Sequence, residues 1–143
     1  MNKSKKEEVD LLIEGGLILT MDGARRVLDP GFVAVRNRKI VDVGNMFDCN
    51  YIGAERFQSD DMVVMPGIIN THDHLDQSVY RSCLDHKEAS RDQLLRMAQG
   101  LTFDRARIAA SLSLLELVHY GVTTTQENHW THYHPDSTDG VCE

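Results

Sequence analysis

Apolar residues in the first half of the chain come in short runs broken by charges and glycines. That spacing predicts strands and turns. "VDLLIEGGLILTM" (9–21) has two apolar runs around Gly15-Gly16, a hairpin or bulge signal. In "DPGFVAVRNRKIVDVG" (29–44), Phe32–Val35 and Lys39–Val43 alternate with charge, and Asn37-Arg38 supplies the turn of a second hairpin. The next residues form a looser stretch, and "DMVVMPG" (61–67) gives one more strand ended by proline. Residues 1–8 are charged and predict an unpacked tail. Residues 9–64 therefore predict a small all-β part.

The pattern changes at Met65-Pro66-Gly67. "GIIN" (67–70) is a continuously apolar strand, as expected for burial on both faces in a parallel sheet. A helix is predicted over Gln93–Gln99 and a longer one through "TFDRARIAASLSLLELVHYG" (102–121). Thr102 stands at its N-cap, Asp104 suits the first turn, and Gly121 marks the stop. Ile108, Leu112, Leu115 and either Val118 or His119 recur at helical spacing and predict the buried stripe. Val122–Thr125 is β-branched, hence a further strand. Strand, helix, strand is the βα unit of a parallel sheet, so residues 65–143 predict an α/β layer.

Composition narrows the chemistry. The 143 residues suffice for a core, and 41% hydrophobic residues exclude a disordered chain. A net charge of −7 argues against nucleic acid, whose phosphates need a basic face. The apolar run near the start is split by Glu14-Gly15-Gly16, too short for an export core or a membrane span, so a cytoplasmic protein without a membrane role is expected. Cys49, Cys83 and Cys142 form no C-x-x-C pair and are expected to be free thiols.

The candidate chemistry lies in "MPGIINTHDHLDQ" (65–77). In a strand, alternate residues face one way, so His72 and His74 point together while Asp73 points away. Their Cα atoms would be roughly 6–7 Å apart, letting two imidazoles meet one ion at about 2.0–2.1 Å. The pair stands where a strand runs into a loop, the rim on which α/β folds place their chemistry. Imidazoles suit zinc or iron better than calcium.

"NTHDHLDQ", "YGVTTTQENHW" and the P-G-x-x-x-x-H-x-H spacing resemble the opening of an amidohydrolase-superfamily enzyme. The similarity is to the cytosine-deaminase, guanine-deaminase and atrazine-chlorohydrolase branch, and it covers about Val9–Glu143. The resemblance implies the N-terminal part of a composite β-sandwich followed by the first two βα units of a TIM (β/α)8 barrel. It implies His72 and His74 as ligands of one divalent zinc or iron ion. The family's other ligands, and the catalytic carboxylate, follow later strands and are expected beyond residue 143. A barrel of this kind takes about 250 residues, so the sequence is expected to be an incomplete N-terminal piece.

The resemblance also implies substrate contacts at Gln77, His129 and Trp130, with the indole stacking on a flat ring. Asp76 departs from the aromatic or apolar residue expected there, and Asn128 stands where some relatives carry histidine. A second H-x-H, His132 and His134, lies ahead of Pro135 in a loop the family does not use for metal. His119 is expected to be structural, His86 solvated, and Arg81 engaged in a surface ion pair. The implied activity is hydrolysis of a non-peptide C–N bond in a small heterocycle, most plausibly deamination, by a full-length protein that could be a homo-oligomer. The alternatives are a dinuclear cyclic amidase resembling the dihydropyrimidinases, and a non-catalytic remnant. The 143 residues alone are expected to be inactive.

Overall fold

The structure is a computed structural model and describes residues 5–81, 91–129, 134 and 136–143. Cys83, His86, Trp130 and His132 lie outside the described residues. The fold is mixed α/β and divides into two compact units, Met1–Pro66 and Gly67–Glu143.

The first unit contains β1 (Glu7–Glu14), β2 (Leu17–Leu19), β3 (Val27–Leu28), β4 (Gly31–Arg36), β5 (Lys39–Asn45), β6 (Tyr51–Gln58) and β7 (Val63–Val64). One sheet has the order β5-β4-β1-β6, the other β3-β2-β7. The β4–β5 hairpin turns at Asn37-Arg38, both at positive φ (53° and 62°) as a tight two-residue turn requires. Val9, Leu12, Phe32 and Ala34 form the core, with Met46, Cys49 and Tyr51 packed against it. β4 is buried at four successive residues, Gly31–Ala34, so both faces of this central strand are covered, whereas β1 keeps Glu7, Glu8 and Asp10 exposed.

Three expectations are corrected in this unit. The stretch predicted as a tail already pairs from Glu7, which lies opposite Tyr51 in β1–β6. Gly15-Gly16 makes no hairpin; it is a corner that sends β1 and β2 into different sheets. Both glycines have positive φ (83° and 65°), and a Cβ on Gly16 would press on the Ser59 and Met62 carbonyls. The looser stretch holds the eight-residue strand β6, parallel to β1. Its residues are mostly exposed, so they carry little apolar alternation, and what fixes them is the ladder to β1. Arg56 and Gln58 of β6 also hold the buried carboxylate of Glu14.

The second unit runs β8 (Ile68–Asp73), a 3₁₀ segment (Leu75–Tyr80), α1 (Arg91–Gln99), α2 (Phe103–His119), β9 (Val122–Glu127) and α3 (Ser137–Cys142). β8 and β9 are parallel, with Ile68 opposite Val122 and Asp73 opposite Glu127. Gly67 lets the strands approach, since a Cβ there would collide with Thr123. α2 stops at Gly121, whose φ of 79° lets the chain reverse into β9.

The predicted burial of this unit is corrected. The face of α2 inside is Ala106, Ala109 and Ala110, and the stripe Ile108, Leu112, Leu115, Val118 is exposed. His119 is exposed too and sits edge-on to Tyr120. Ile68 and Ile69 are likewise exposed because β8 and β9 form a sheet of only two strands among the described residues. The core is Leu75, Leu101, Ala106, Ala110 and Val141, with Tyr80 and Leu117 against it. No helix of the described residues is long and apolar enough to cross a membrane.

Candidate metal centre

His72 is the fifth residue of β8, and His74 is the first residue after the strand, at the start of the 3₁₀ segment. Their ring centroids are 4.9 Å apart and their planes nearly perpendicular. The two imidazoles therefore lie side by side at the strand's end, as the H-x-H spacing requires. His74 Nδ1 lies 2.8 Å from the Asn128 carbonyl oxygen. A carbonyl only accepts, so Nδ1 carries the proton, and in the neutral ring Nε2 keeps its lone pair for a ligand. A metal-binding histidine is commonly oriented in this way by its other nitrogen. The donor set present fits a zinc-like ion.

The loop after β8 is fastened on several sides. Ser113 Oγ of α2 donates to the Leu75 carbonyl (2.9 Å), and Ser78 Oγ donates to the Ala109 carbonyl (2.9 Å). Asn128 N–H donates to the Asp73 carbonyl (2.9 Å), and Leu75 N–H donates to Glu127 Oε2 (2.8 Å). The end of β9 thus grips the end of β8 on both sides of His74. Arg81 forms a two-pronged surface ion pair with Glu116 (2.9 and 2.6 Å), as its sequence context predicts. Gln77 lies half-buried in the 3₁₀ segment, its N–H donating to the His74 carbonyl (3.0 Å).

His129 faces inward, with only 6% of its side chain exposed. Its Nδ1 is 3.6 Å from Asp76 Oδ2 and 3.9 Å from Glu127 Oε1, and its Nε2 is 3.2 Å from Ser137 Oγ. Ligand-capable atoms of Asp76, Glu127 and His129 all lie within 4.8 Å of one another, so these residues too could hold a cation. Asp76 is fully buried. Burial pushes the Glu127 carboxyl above its ordinary value, the Leu75 N–H bond opposes this, and the nearby Asp76 charge adds to it. Sequence reasoning missed this cluster because Asp76 and Glu127 share no local spacing; the βα crossover brings them together. The one local signal was Asp76 itself, a carboxylate where an apolar residue is expected. His134 Nδ1 accepts from Asp136 N–H (3.3 Å), and its carbonyl accepts from Ser137 Oγ (3.0 Å), the same hydroxyl that meets His129.

No family profile matches the chain. A 5-methylthioadenosine/S-adenosylhomocysteine deaminase of Syntrophobacter fumaroxidans is 30% identical over 120 residues, covering 80% of this chain and 27% of that protein. Among solved structures, an adenosine deaminase of Xanthomonas campestris with bound zinc superposes at a TM-score of 0.80. It is 24% identical over 96% of this chain and 32% of its own. An atrazine chlorohydrolase variant of Arthrobacter aurescens, complexed with zinc and atraton, gives a TM-score of 0.74 at 23% identity, covering 92% of this chain and 33% of its own. Over this stretch the chain is similar in sequence to these deaminases and shares its fold with the two zinc-bound enzymes.

It spans about 27% of the length of the curated relative it matches. Asp76, which departs from the aromatic or apolar residue expected there, is buried against His129. At Asn128 the main chain makes the contacts, the carbonyl toward His74 and the N–H toward Asp73.

Proposed function

We propose that this chain carries the metal-holding edge of a hydrolase acting on non-peptide C–N bonds, a deaminase of an amino-substituted heterocycle such as an adenosine-type nucleoside. The observation that carries the reading is the convergence of His72 and His74 at the end of β8, with His74 Nδ1 donating to Asn128. In this reading His72 and His74 hold one divalent ion, zinc or iron. Likeness to deaminases and to zinc-bearing structures supports zinc and the deaminase branch over a cyclic amidase. Bound at this site, such an ion supplies an acidified water for attack on the ring carbon that bears the amino group.

The chain's own residues would do the rest of the local work. The β9 turn holds His74 in one tautomer, and the 3₁₀ segment carries Gln77 onto the same rim, where an amide can meet ring nitrogens. His129 backs this rim from the interior, braced by Asp76 and Glu127. Trp130 follows it and would stack on the heterocycle. The finer fold belongs to the same reading: the two sheets of the first unit as part of a composite sandwich, and β8 to β9 as the opening of a (β/α)8 barrel.

Zinc titration by calorimetry tests the assignment. The wild-type chain is expected to bind one equivalent, and the H72A/H74A double variant none in the same concentration range. A double variant that binds zinc with wild-type affinity would show that the metal, if any, lies elsewhere.

A further inference from the structure

The histidines of "NTHDH" are interleaved with Asn70 and Asp73, and these two side chains form a closed hydrogen-bonded unit. Asn70 Nδ2 donates to Asp73 Oδ2 at 2.7 Å. Asn70 Oδ1 accepts from the main-chain N–H of His72 (3.3 Å), and Asp73 Oδ1 accepts from the main-chain N–H of His74 (2.8 Å). Each oxygen therefore captures the backbone of one histidine, and the amide–carboxylate bond locks the two captures together. Thr125 Oγ1 approaches Asp73 Oδ2 at 3.4 Å from β9. The β8–β9 register slips between Asn70 and Asp73, so the strand ladder does not fix this stretch by itself.

We infer that Asn70 and Asp73 are positioning residues: together they set the spacing and direction of His72 and His74 toward a shared ion. The inference rests on the metal assignment proposed above. Its physical basis is that a strand end lacking regular ladder bonds would otherwise let two adjacent imidazoles splay. A charge-assisted bond to an ionised carboxylate is about twice as strong as a neutral one, which suits it to hold that geometry. The orientation of the Asn70 amide is dictated on both ends, its oxygen by an N–H and its nitrogen by a carboxylate.

The test uses zinc affinity together with the ring-nitrogen shifts of His74 in long-range ¹H–¹⁵N spectra of the metal-free chain. Wild type is expected to show a single Nδ1–H tautomer at His74. N70A and D73A are each expected to weaken zinc binding by roughly 10–100-fold, the usual effect of losing an outer-shell partner, and to turn the His74 signal into a tautomer mixture. The exchange N70D/D73N reverses donor and acceptor across the unit while leaving an oxygen against each main-chain N–H. It is expected to restore affinity to within about threefold of wild type and to restore the single tautomer, given the same hydrogen bonds. Far-UV circular dichroism identifies variants that fail to fold; should D73A be one, N70A and the exchange test the same unit.

Folded N70A and D73A variants with wild-type affinity and tautomer would overturn the inference, as would an exchange no better than the single variants. If H72A/H74A loses zinc while the Asn70 and Asp73 variants keep it, the positioning role falls and the metal assignment stands. If H72A/H74A keeps zinc, both fall.

Discussion

Glu127 shows how a single side chain links site and stability. One oxygen is tied to the Leu75 N–H, and burial holds its proton more tightly than the ordinary value of 4.5 allows. The folded chain then keeps this proton to higher pH than the unfolded chain. Stability falls as pH climbs from 4.5 through the raised folded value, because the folded state binds more protons over that window. Glu127→Gln keeps an oxygen for Leu75 and removes the titration. The melting temperature of E127Q relative to wild type is expected to increase from pH 4 to neutrality, checked by calorimetry at the two pH values. An unchanged difference would mean that Glu127 is ionised in the folded chain at no cost. The same side chain faces Asp76 and His129, so its burial is part of how the ends of β8 and β9 are held together.

At the scale of elements, the corner between β1 and β2 is the part that sequence pattern describes least well. The expectation of a hairpin or a bulge followed from two glycines between apolar runs. The structure instead spends their positive φ on a change of sheet, closed by Ser59, whose hydroxyl donates to the Glu14 and Gly15 carbonyls. Gly16→Ala is expected to destabilise the first unit by about 1–3 kcal/mol, through left-handed strain and contact with the Ser59 and Met62 carbonyls. Gly23→Ala, whose Cβ would meet nothing within 4 Å, is the control and should lie within about 0.5 kcal/mol of wild type. Urea denaturation compares the two. Helix α2 was legible from end to end in Thr102, Asp104 and Gly121, yet its inward face was not. Periodicity marks an apolar stripe without saying what covers it. Here the small alanines pack inward against the 3₁₀ segment and α3.

For the molecule as a whole, the exposed stripe has a consequence. Leu115 and Val118 are each 70% accessible, and Ile108 and Leu112 are exposed on the same helix. Contiguous apolar surface of this kind drives association. The chain is expected to bind the dye ANS and to self-associate on gel filtration, and L115K/V118E to reduce both. A wild-type chain that elutes as a dye-silent monomer would contradict this. Catalysis also belongs to this scale. In the proposed reading His72 and His74 would supply two ligands, whereas a catalytic zinc site takes about three protein ligands plus water. The chain by itself is therefore expected to release no measurable ammonia from adenosine or 5-methylthioadenosine, and coupled ammonia detection would reveal any turnover.

The sequence alone determined what depends on neighbours along the chain: the Asn37-Arg38 hairpin, the span of α2, and the H-x-H pair at the end of a strand. Turn chemistry, capping and side-chain periodicity act over a few residues, so a linear reading captures them. Tertiary structure decided what depends on distant pairing. It placed β6 beside β1 and turned alanines rather than leucines inward on α2. It also brought the Asn128 carbonyl to His74 and set Asp76 against Glu127 and His129. Those contacts join residues some fifty positions apart, brought together by a crossover whose burial and register no local pattern encodes.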